Sequence, residues 1–197
     1  MHALVIIAHP CQESFTHAAA ARAKEGLRRA GHEVSTLDLY EVGFTAAMSR
    51  EERIAYHSAS AICDPLVAEH ARLLRSTQIL VFVYPTWWSG LPAIMKGWLE
   101  RVMVPGVGFT YDPATHRIGP NMQHVRHIVG VSTYGSPRRY VKLINDNGRR
   151  VLTRALRMSC GRRPPPRTWL ALYSMDTTTE DDRARFLDRV EQKLAAV

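Results

Sequence analysis

The stretch 79-ILVFVYPTWWSGLPAIMKGWLERV-102 reads as three units in succession. The block 79-ILVFV-83 is a short, wholly apolar run, which suits a strand buried on both faces. In 84-YPTWWSG-90 Pro85 stiffens the strand exit, and Trp87 and Trp88 stand side by side in the loop. Pro92 then starts a helix that runs to about Val102. A buried strand that leads through a short loop into a helix needs a crossover connection, so the sheet is expected to be parallel and covered on both sides.

The same pattern extends outward in both directions. Upstream, 3-ALVIIA-8 is a second apolar block, closed by His9-Pro10. The segment 14-SFTHAAAARAKEGLRRAG-31 is a helix with Ser14 as N-cap and Gly31 as terminator. A strand follows at 33-EVSTLDL-39, then a polar stretch from Tyr40 to Arg53 that includes a short helix. The next helix, 64-DPLVAEHARLLRS-76, is capped by Asp64 with Pro65 in its first turn. Downstream, 105-PGVGFTYDPATHRIGP-120 is rich in turn residues and reads as a hairpin. A strand at 125-VRHIVGVS-132, a helix after 136-SPRRY-140 and a strand near 169-WLALYSM-175 follow. A terminal helix from 179-TEDDRARFLDRVEQKL-194 has acids at 180–182, in its first turn, where the helix dipole favours them. Five strands separated by helices predict a flavodoxin-like doubly wound α/β sheet of order 2-1-3-4-5, with ligands at the carboxyl ends of the strands near the switch point. Loops 9–16, 84–90 and 132–140 are therefore the ones expected to carry function.

Composition narrows the classes. A chain of 197 residues with 46% hydrophobic content is expected to form one core, hence a single domain over 1–197. The three cysteines are scattered, which suits a reducing cytoplasm. The run in 1-MHALVIIAHP-10 is too short for a signal peptide, and no run approaches the ~20 apolar residues of a membrane helix. The net charge of +8 is densest in 149-RRVLTRALRMSCGRRPPPR-167. No nucleic-acid-reading module accompanies it, so a solvated basic face outweighs specific nucleic-acid binding, with attraction of an anionic small molecule between the two.

Each of the three loops offers a distinct chemistry. The first, 9-HPCQESFT-16, joins a strand to a helix, so its N–H groups and the Ser14 and Thr16 hydroxyls suit a phosphate; a simple capped turn is an equally good account. His9 would add a donor there, or be hydrogen-bonded in place. Cys11 reads as an inert thiol. In the second loop, Trp87 and Trp88 present aromatic faces; one of the two is expected to pack against the 91–101 helix and the other to face a planar heterocycle. In the third, 132-STYGSPRRY-140, Ser132, Thr133 and the amides around Tyr134, Gly135 and Ser136 form a donor cluster, and Tyr134 and Tyr140 add aromatic surface. A phosphate seat, an aromatic wall and donors for developing negative charge together describe a flavin site. The nine histidines include one close pair, His124 and His127, without a metal-binding pattern, so no metal is expected.

The chain resembles the NAD(P)H:quinone oxidoreductases of the DT-diaphorase type, with their bacterial relatives among the drug-activity modulators and potassium-efflux ancillary proteins. The motif 85-PTWWSGLPAIMKGWLERV-102 with 109-FTY-111 is similar to that family's W-x-G-x-PAI-x-KGW-x-[DE]RV signature, and 1-MHALVIIAHPCQESFT-16 to its opening strand and phosphate loop. The resemblance implies that His9, Ser14, Phe15 and Thr16 hold the flavin phosphate and ribityl chain. Pro85, Thr86, Trp87 and Trp88 would line the isoalloxazine ring, and Ser132, Thr133, Tyr134 and Gly135 would meet its polar edge. Tyr140 matches the tyrosine that neutralises the reduced ring. The histidine that follows it by six residues in that family is Asp146 here, which leaves the charge to Tyr140, backbone donors or Arg138 and Arg139. Residues 44–70 resemble a segment that approaches an adenine, which tilts the cofactor toward FAD over FMN. The implied protein is a cytoplasmic homodimer that takes hydride from NAD(P)H onto flavin and passes it to a quinone or similar electrophile. Alternatives are an azo- or nitro-compound reductase, or a flavin-bearing regulatory subunit of a membrane transporter.

Overall fold

A computed structural model describes residues 1–58 and 61–197. Five strands form the main sheet: β1 (His2–Ile7), β2 (Glu33–Asp38), β3 (Ile79–Pro85), β6 (His127–Thr133) and β7 (Arg167–Leu172), in the order β2-β1-β3-β6-β7. Every neighbouring pair is parallel. The remaining two strands, β4 (Phe109–Asp112) and β5 (Arg117–Pro120), pair only with each other as the expected hairpin. With that hairpin set aside, the sheet has the predicted order 2-1-3-4-5.

The apolar runs that suggested central strands are buried on both sides. Leu4, Ile6, Leu80 and Phe82 face one core together with Trp98 and Val102 from helix α4 (Ala93–Val102) and Val67 and Leu74 from α3 (Pro65–Ser76). Ala3, Val5, Val81 and Val129 face the other, under α1 (Phe15–Arg29) and α8 (Glu180–Leu194). Each fully buried aliphatic side chain contributes roughly 1.5–3 kcal/mol.

The helix signals act as the sequence suggested. Ser14 and Asp64 cap α1 and α3 with Pro65 at the start of the latter, and the acids at 180–182 fall in the first turn of α8; Thr179, which the sequence reading did not single out, adds a capping box with Asp182. The short helix α2 (Arg50–Ala55) has its own capping box from Ser49 and Glu52. Gly97 of α4 lies against backbone: a Cβ there would come within 2.2 Å of the Ala46 carbonyl oxygen. Gly130 of β6 likewise leaves room for the Trp169 ring, which a Cβ would meet at 2.1 Å.

Three boundaries differ from expectation. Strand β6 begins at His127 rather than 125, because Arg126 and His127 first use their amides on the Gln78 carbonyl. Strand β7 ends at Leu172 rather than 175, where Ser174 turns left-handed and Met175–Thr177 form a short 3-10 turn. The single helix expected after Tyr140's segment is two: α5 (Arg138–Leu143), then a continuous helical stretch made of α6 (Asn147–Arg150), a π-helical turn (Val151–Ala155) and α7 (Leu156–Met158). Asn145 and Asp146, both at positive φ, separate them.

Candidate functional site

Strands β1, β3 and β6 end at one edge of the sheet, and the loops that leave them meet there. In the first loop, His9 Nδ1 accepts the Cys11 N–H at 3.0 Å. Nδ1 also lies 3.2 Å from the Cys11 carbonyl oxygen, so the Cys11 backbone holds it in either tautomer, and Nε2 has no protein partner among the described residues. The Phe15 and Thr16 amides, in the first turn of α1, have no protein acceptor among the described residues. Beneath them runs a relay that sequence reasoning missed: Ser14 Oγ lies 3.0 Å from His17 Nδ1, and His17 Nε2 lies 2.8 Å from Asp38 Oδ2. Gln12 Nε2 and the Tyr40 and Glu41 amides also donate to Asp38. Burial alone would raise the Asp38 pKa, but the donors from His17, Gln12 and Glu41 outweigh it and hold the carboxyl below its ordinary value. The spacing of Ser14 and His17 across one helical turn was visible in sequence; the partner on β2 was not.

The second loop is a tight reversal. Trp87 and Gly90 form an antiparallel bridge, with the Gly90 N–H donating to the Trp87 carbonyl at 3.0 Å. Trp88 and Ser89 occupy its corners at φ 48° and 61°, a conformation that normally selects Asn or Gly. Such left-handed non-glycine residues cost on the order of 1–3 kcal/mol each and concentrate at functional loops. The expectation that one tryptophan packs against the following helix does not hold. Trp87 is 42% exposed and Trp88 wholly exposed, while the buried tryptophan of this region is Trp98, which belongs to the helix itself. The type I′ corner lifts Trp88 off the body of the protein, and Trp87 turns instead toward His9, with ring centroids 5.8 Å apart.

In the third loop the two tyrosines have separate roles. Tyr140 is 47% exposed, at the rim. Tyr134 is buried: its N–H donates to the Leu172 carbonyl, its hydroxyl donates to Asp146, and it accepts the Trp169 indole N–H. The Tyr134 amide, expected in the donor cluster, and its ring, expected as aromatic surface, are thus consumed by the fold. Burial, with Asp146 beside it, pushes the Tyr134 phenol well up. Burial also raises the Asp146 pKa, against the opposing effects of the Tyr134 hydroxyl and the Arg149 amide and charge. Ser132 is likewise turned inward, with its hydroxyl 2.9 Å from Thr86 Oγ1. The Gly135 and Ser136 amides have no protein acceptor among the described residues.

These parts surround a groove with two lobes. A cavity of about 420 Å³ is lined by His9, Phe15, Thr16, Pro85, Trp87 and Thr133, and by Met175 and Asp176, which the sequence did not single out. A second, of about 300 Å³, lies between Trp88 and Tyr140. Thr86 and Gly135 border both. Ser14 lies outside the lining of either lobe and acts as the α1 cap. His124 and His127, the close pair, are each engaged separately, near the Leu74 carbonyl and the Thr168 hydroxyl.

Sheet order, parallel crossovers and ligand-facing loops at the β1/β3 switch point define a doubly wound α/β protein of flavodoxin type. The chain belongs to the family described as having a flavodoxin-like fold, whose model matches residues 1–194. A curated relative, NAD(P)H dehydrogenase (quinone) 1 of Cavia porcellus, is 33% identical over 153 residues, which are 70% of this chain and 55% of the relative. The chain therefore spans about half the length of that relative. Among solved structures, the NAD(P)H:quinone oxidoreductase from Methanothermobacter marburgensis superposes with a TM-score of 0.83 at 25% identity, over 99% of this chain and 96% of that one. The FMN-dependent NADH-azoreductase from Bacillus anthracis str. Ames Ancestor, in complex with FMN, gives a TM-score of 0.75 at 11% identity over 99% and 97%, a likeness of fold alone.

Proposed function

We propose that the two-lobed groove holds a flavin and that the protein is an NAD(P)H:quinone oxidoreductase. The observation that carries this reading is the convergence, at the switch point, of an aromatic wall with uncommitted donors on both of its sides. A flat, polar-edged ring fits between Trp87 and the Thr133–Gly135 backbone, and the Phe15 and Thr16 amides with His9 Nε2 suit its phosphate. The relatives' names agree with this chemistry. The azoreductase likeness, at the level of fold, leaves azo compounds as a second class of acceptor.

A bound flavin would supply the hydride-accepting chemistry. The chain's own residues bind and orient. Trp87 and His9 close one lobe, and the fully exposed Trp88 overhangs the other, where it screens a stacked substrate from water. With a flavin bound, the Gly135 and Ser136 amides and the Tyr140 hydroxyl would serve as donors to negative charge on the ring. Asp146 does not stand in for the family histidine, since its carboxylate faces Tyr134 and caps α6. Arg138 and Arg139 line neither lobe but immediately precede Tyr140 on α5, and they are the residues that would carry the positive charge instead.

Donor and acceptor would use one face in turn, giving a ping-pong cycle. The exposed Trp88 and Leu143 favour a homodimer in which a second copy helps to wall that face. FAD is placed ahead of FMN on the segment 44–70 alone, of which residues 59 and 60 lie outside the described residues. No helix among the described residues is long and apolar enough to cross a membrane; a cytoplasmic location and a single domain over 1–197 complete the proposal.

The test is reconstitution with FAD or FMN followed by steady-state kinetics with NADPH and a simple benzoquinone. Parallel double-reciprocal lines and a flavin-dependent rate are expected. Failure to retain either flavin would overturn the reading.

A further inference from the structure

Beside the Trp88–Tyr140 lobe lies a larger cavity of about 700 Å³, which shares Val141 and Asp146 with it. Its walls are cationic. Helix α5 contributes Arg138, Arg139 and Lys142; the helical stretch after it contributes Arg149, Arg150 and Arg154; and Arg167 stands at the head of β7. Asp146 is the one acid in the lining, and its carboxylate is engaged by Tyr134. Most of the chain's excess of eight positive charges therefore sits on this one concave wall.

Among the described residues none of these cations makes an ion pair, whereas Arg22, Arg29, Arg101 and Arg185 each meet a carboxylate. Like charges lining one cavity repel one another, and an anion that enters relieves that repulsion. Arg149 is already oriented by its guanidinium, 5.6 Å from the Trp169 ring centre. The helical stretch behind the wall includes the π turn at Val151–Ala155, an irregularity that recurs at functional sites. Its volume falls within the ordinary range of small-molecule sites.

We infer that this cleft takes the phosphate-bearing end of the dinucleotide co-substrate and makes the protein prefer NADPH to NADH. The inference rests on the oxidoreductase reading for the placement of the nicotinamide. A ring stacked under Trp88 leaves the rest of an extended dinucleotide to run across the shared Val141–Asp146 edge into the cationic cavity. The pyrophosphate is common to both dinucleotides. The ribose phosphate of NADPH adds a further dianion, which seven cations with one engaged acid accommodate and which NADH does not offer.

Among the described residues neither Arg150 nor Arg154 makes a side-chain hydrogen bond or ion pair, so Arg150→Ser/Arg154→Ser is a suitable probe. Two measurements on the flavin-reconstituted protein test the inference. Calorimetry with adenosine 2′,5′-bisphosphate should show binding at the cleft, weakened on the order of tenfold in the double variant, with 5′-AMP binding less tightly to the wild type. The KM for NADPH should rise by about the same factor, that for NADH should rise less, and kcat should stay unchanged. Equal KM values for the two dinucleotides in the wild type, or bisphosphate binding unaffected by the double substitution, would overturn it. A raised KM for a sulfonated naphthoquinone with NADPH unaffected would also overturn it, by assigning the cleft to an anionic acceptor. Because the bisphosphate titration can be repeated on flavin-free protein, failure of the flavin reading and failure of the cleft reading remain separate results.

Discussion

Arg101 and Arg150 are the same side chain in opposite surroundings. Arg101, near the end of α4, is sealed against α2 and the start of α3: it donates to both Glu52 oxygens, to Asp64 Oδ2 at 2.7 Å and to the Thr45 carbonyl at 2.6 Å, and its guanidinium lies 5.0 Å from the Phe44 ring centre. All its capacity is spent on the protein itself. Arg150 shares a cavity with six other cations, and no carboxylate pairs with it among the described residues. The contrast separates charge that fixes the fold from charge held open for a ligand, and it implies opposite responses to mutation.

The largest effect should come from breaking the sealed site. Arg101→Met leaves Glu52 buried without its partner, which is expected to cost about 3–5 kcal/mol, read as a lower denaturant midpoint. Arg150→Ser should stay within about 0.5 kcal/mol of the wild type by the same assay. Similar losses in both would erase the distinction.

Asp38 extends the comparison to carboxylates. It is nearly inaccessible and served by four donors, so Asp38→Asn should cost roughly 1.5–3 kcal/mol at neutral pH. Its pKa is lowered in the fold, so its contribution is present above the ordinary value of 3.8 and is lost as pH falls through the folded value. The wild-type advantage over Asp38→Asn should therefore shrink on acidification; an advantage constant between pH 7 and 3 would contradict the assignment.

Tyr140→Phe acts on rate rather than stability. If the hydroxyl meets charge that develops only during reduction, flavin reduction at saturating NADPH should slow about tenfold, roughly 1.4 kcal/mol, with unchanged flavin content. That is less than the ~2.7–4 kcal/mol of a sole donor, because the Gly135 and Ser136 amides share the role. An unchanged rate in stopped flow would leave Tyr140 as part of the wall only.

Asp146→Asn is a small change and has the opposite sign to Asp38. The Asp146 pKa is raised, so its stabilising contribution is present below the ordinary value of 3.8 and is lost as pH rises through the folded value. Asparagine keeps an acceptor for Tyr134 and tolerates the left-handed backbone at φ 41°. The variant should equal or exceed the wild type by up to about 1 kcal/mol at pH 7, and lose that margin near pH 3. A large loss at pH 7 would show that the carboxylate itself is needed.

The layered fold was legible because 3-ALVIIA-8 and 79-ILVFV-83 are unbroken apolar blocks and because Ser14 and Asp64 act as caps through local chemistry. Less legible was whatever depended on contacts distant in sequence. His17 meets Asp38 only once β2 lies beside β1. Tyr134 and Tyr140 look alike in sequence, and only the packing of Trp169 into the space left at Gly130 decides which is buried. The Trp88–Ser89 corner lacks the usual Asn-Gly signature, so Trp88's exposure had no local sign. The density of basic residues after 149 was plain, but its concavity depends on the break at Asn145–Asp146, where neither residue is glycine.

The central claim is that the groove between Trp87 and the third loop seats a flavin that the dinucleotide reduces. The most direct test is anaerobic titration of the reconstituted protein with NADPH, followed by the visible absorbance of the oxidised flavin, in the wild type and Trp87→Ala. The account predicts full bleaching of the wild type at one equivalent of NADPH per flavin, recovery on adding a quinone, and weaker flavin retention in Trp87→Ala. A wild type that holds no flavin, or a bound flavin that NADPH leaves oxidised, would contradict it.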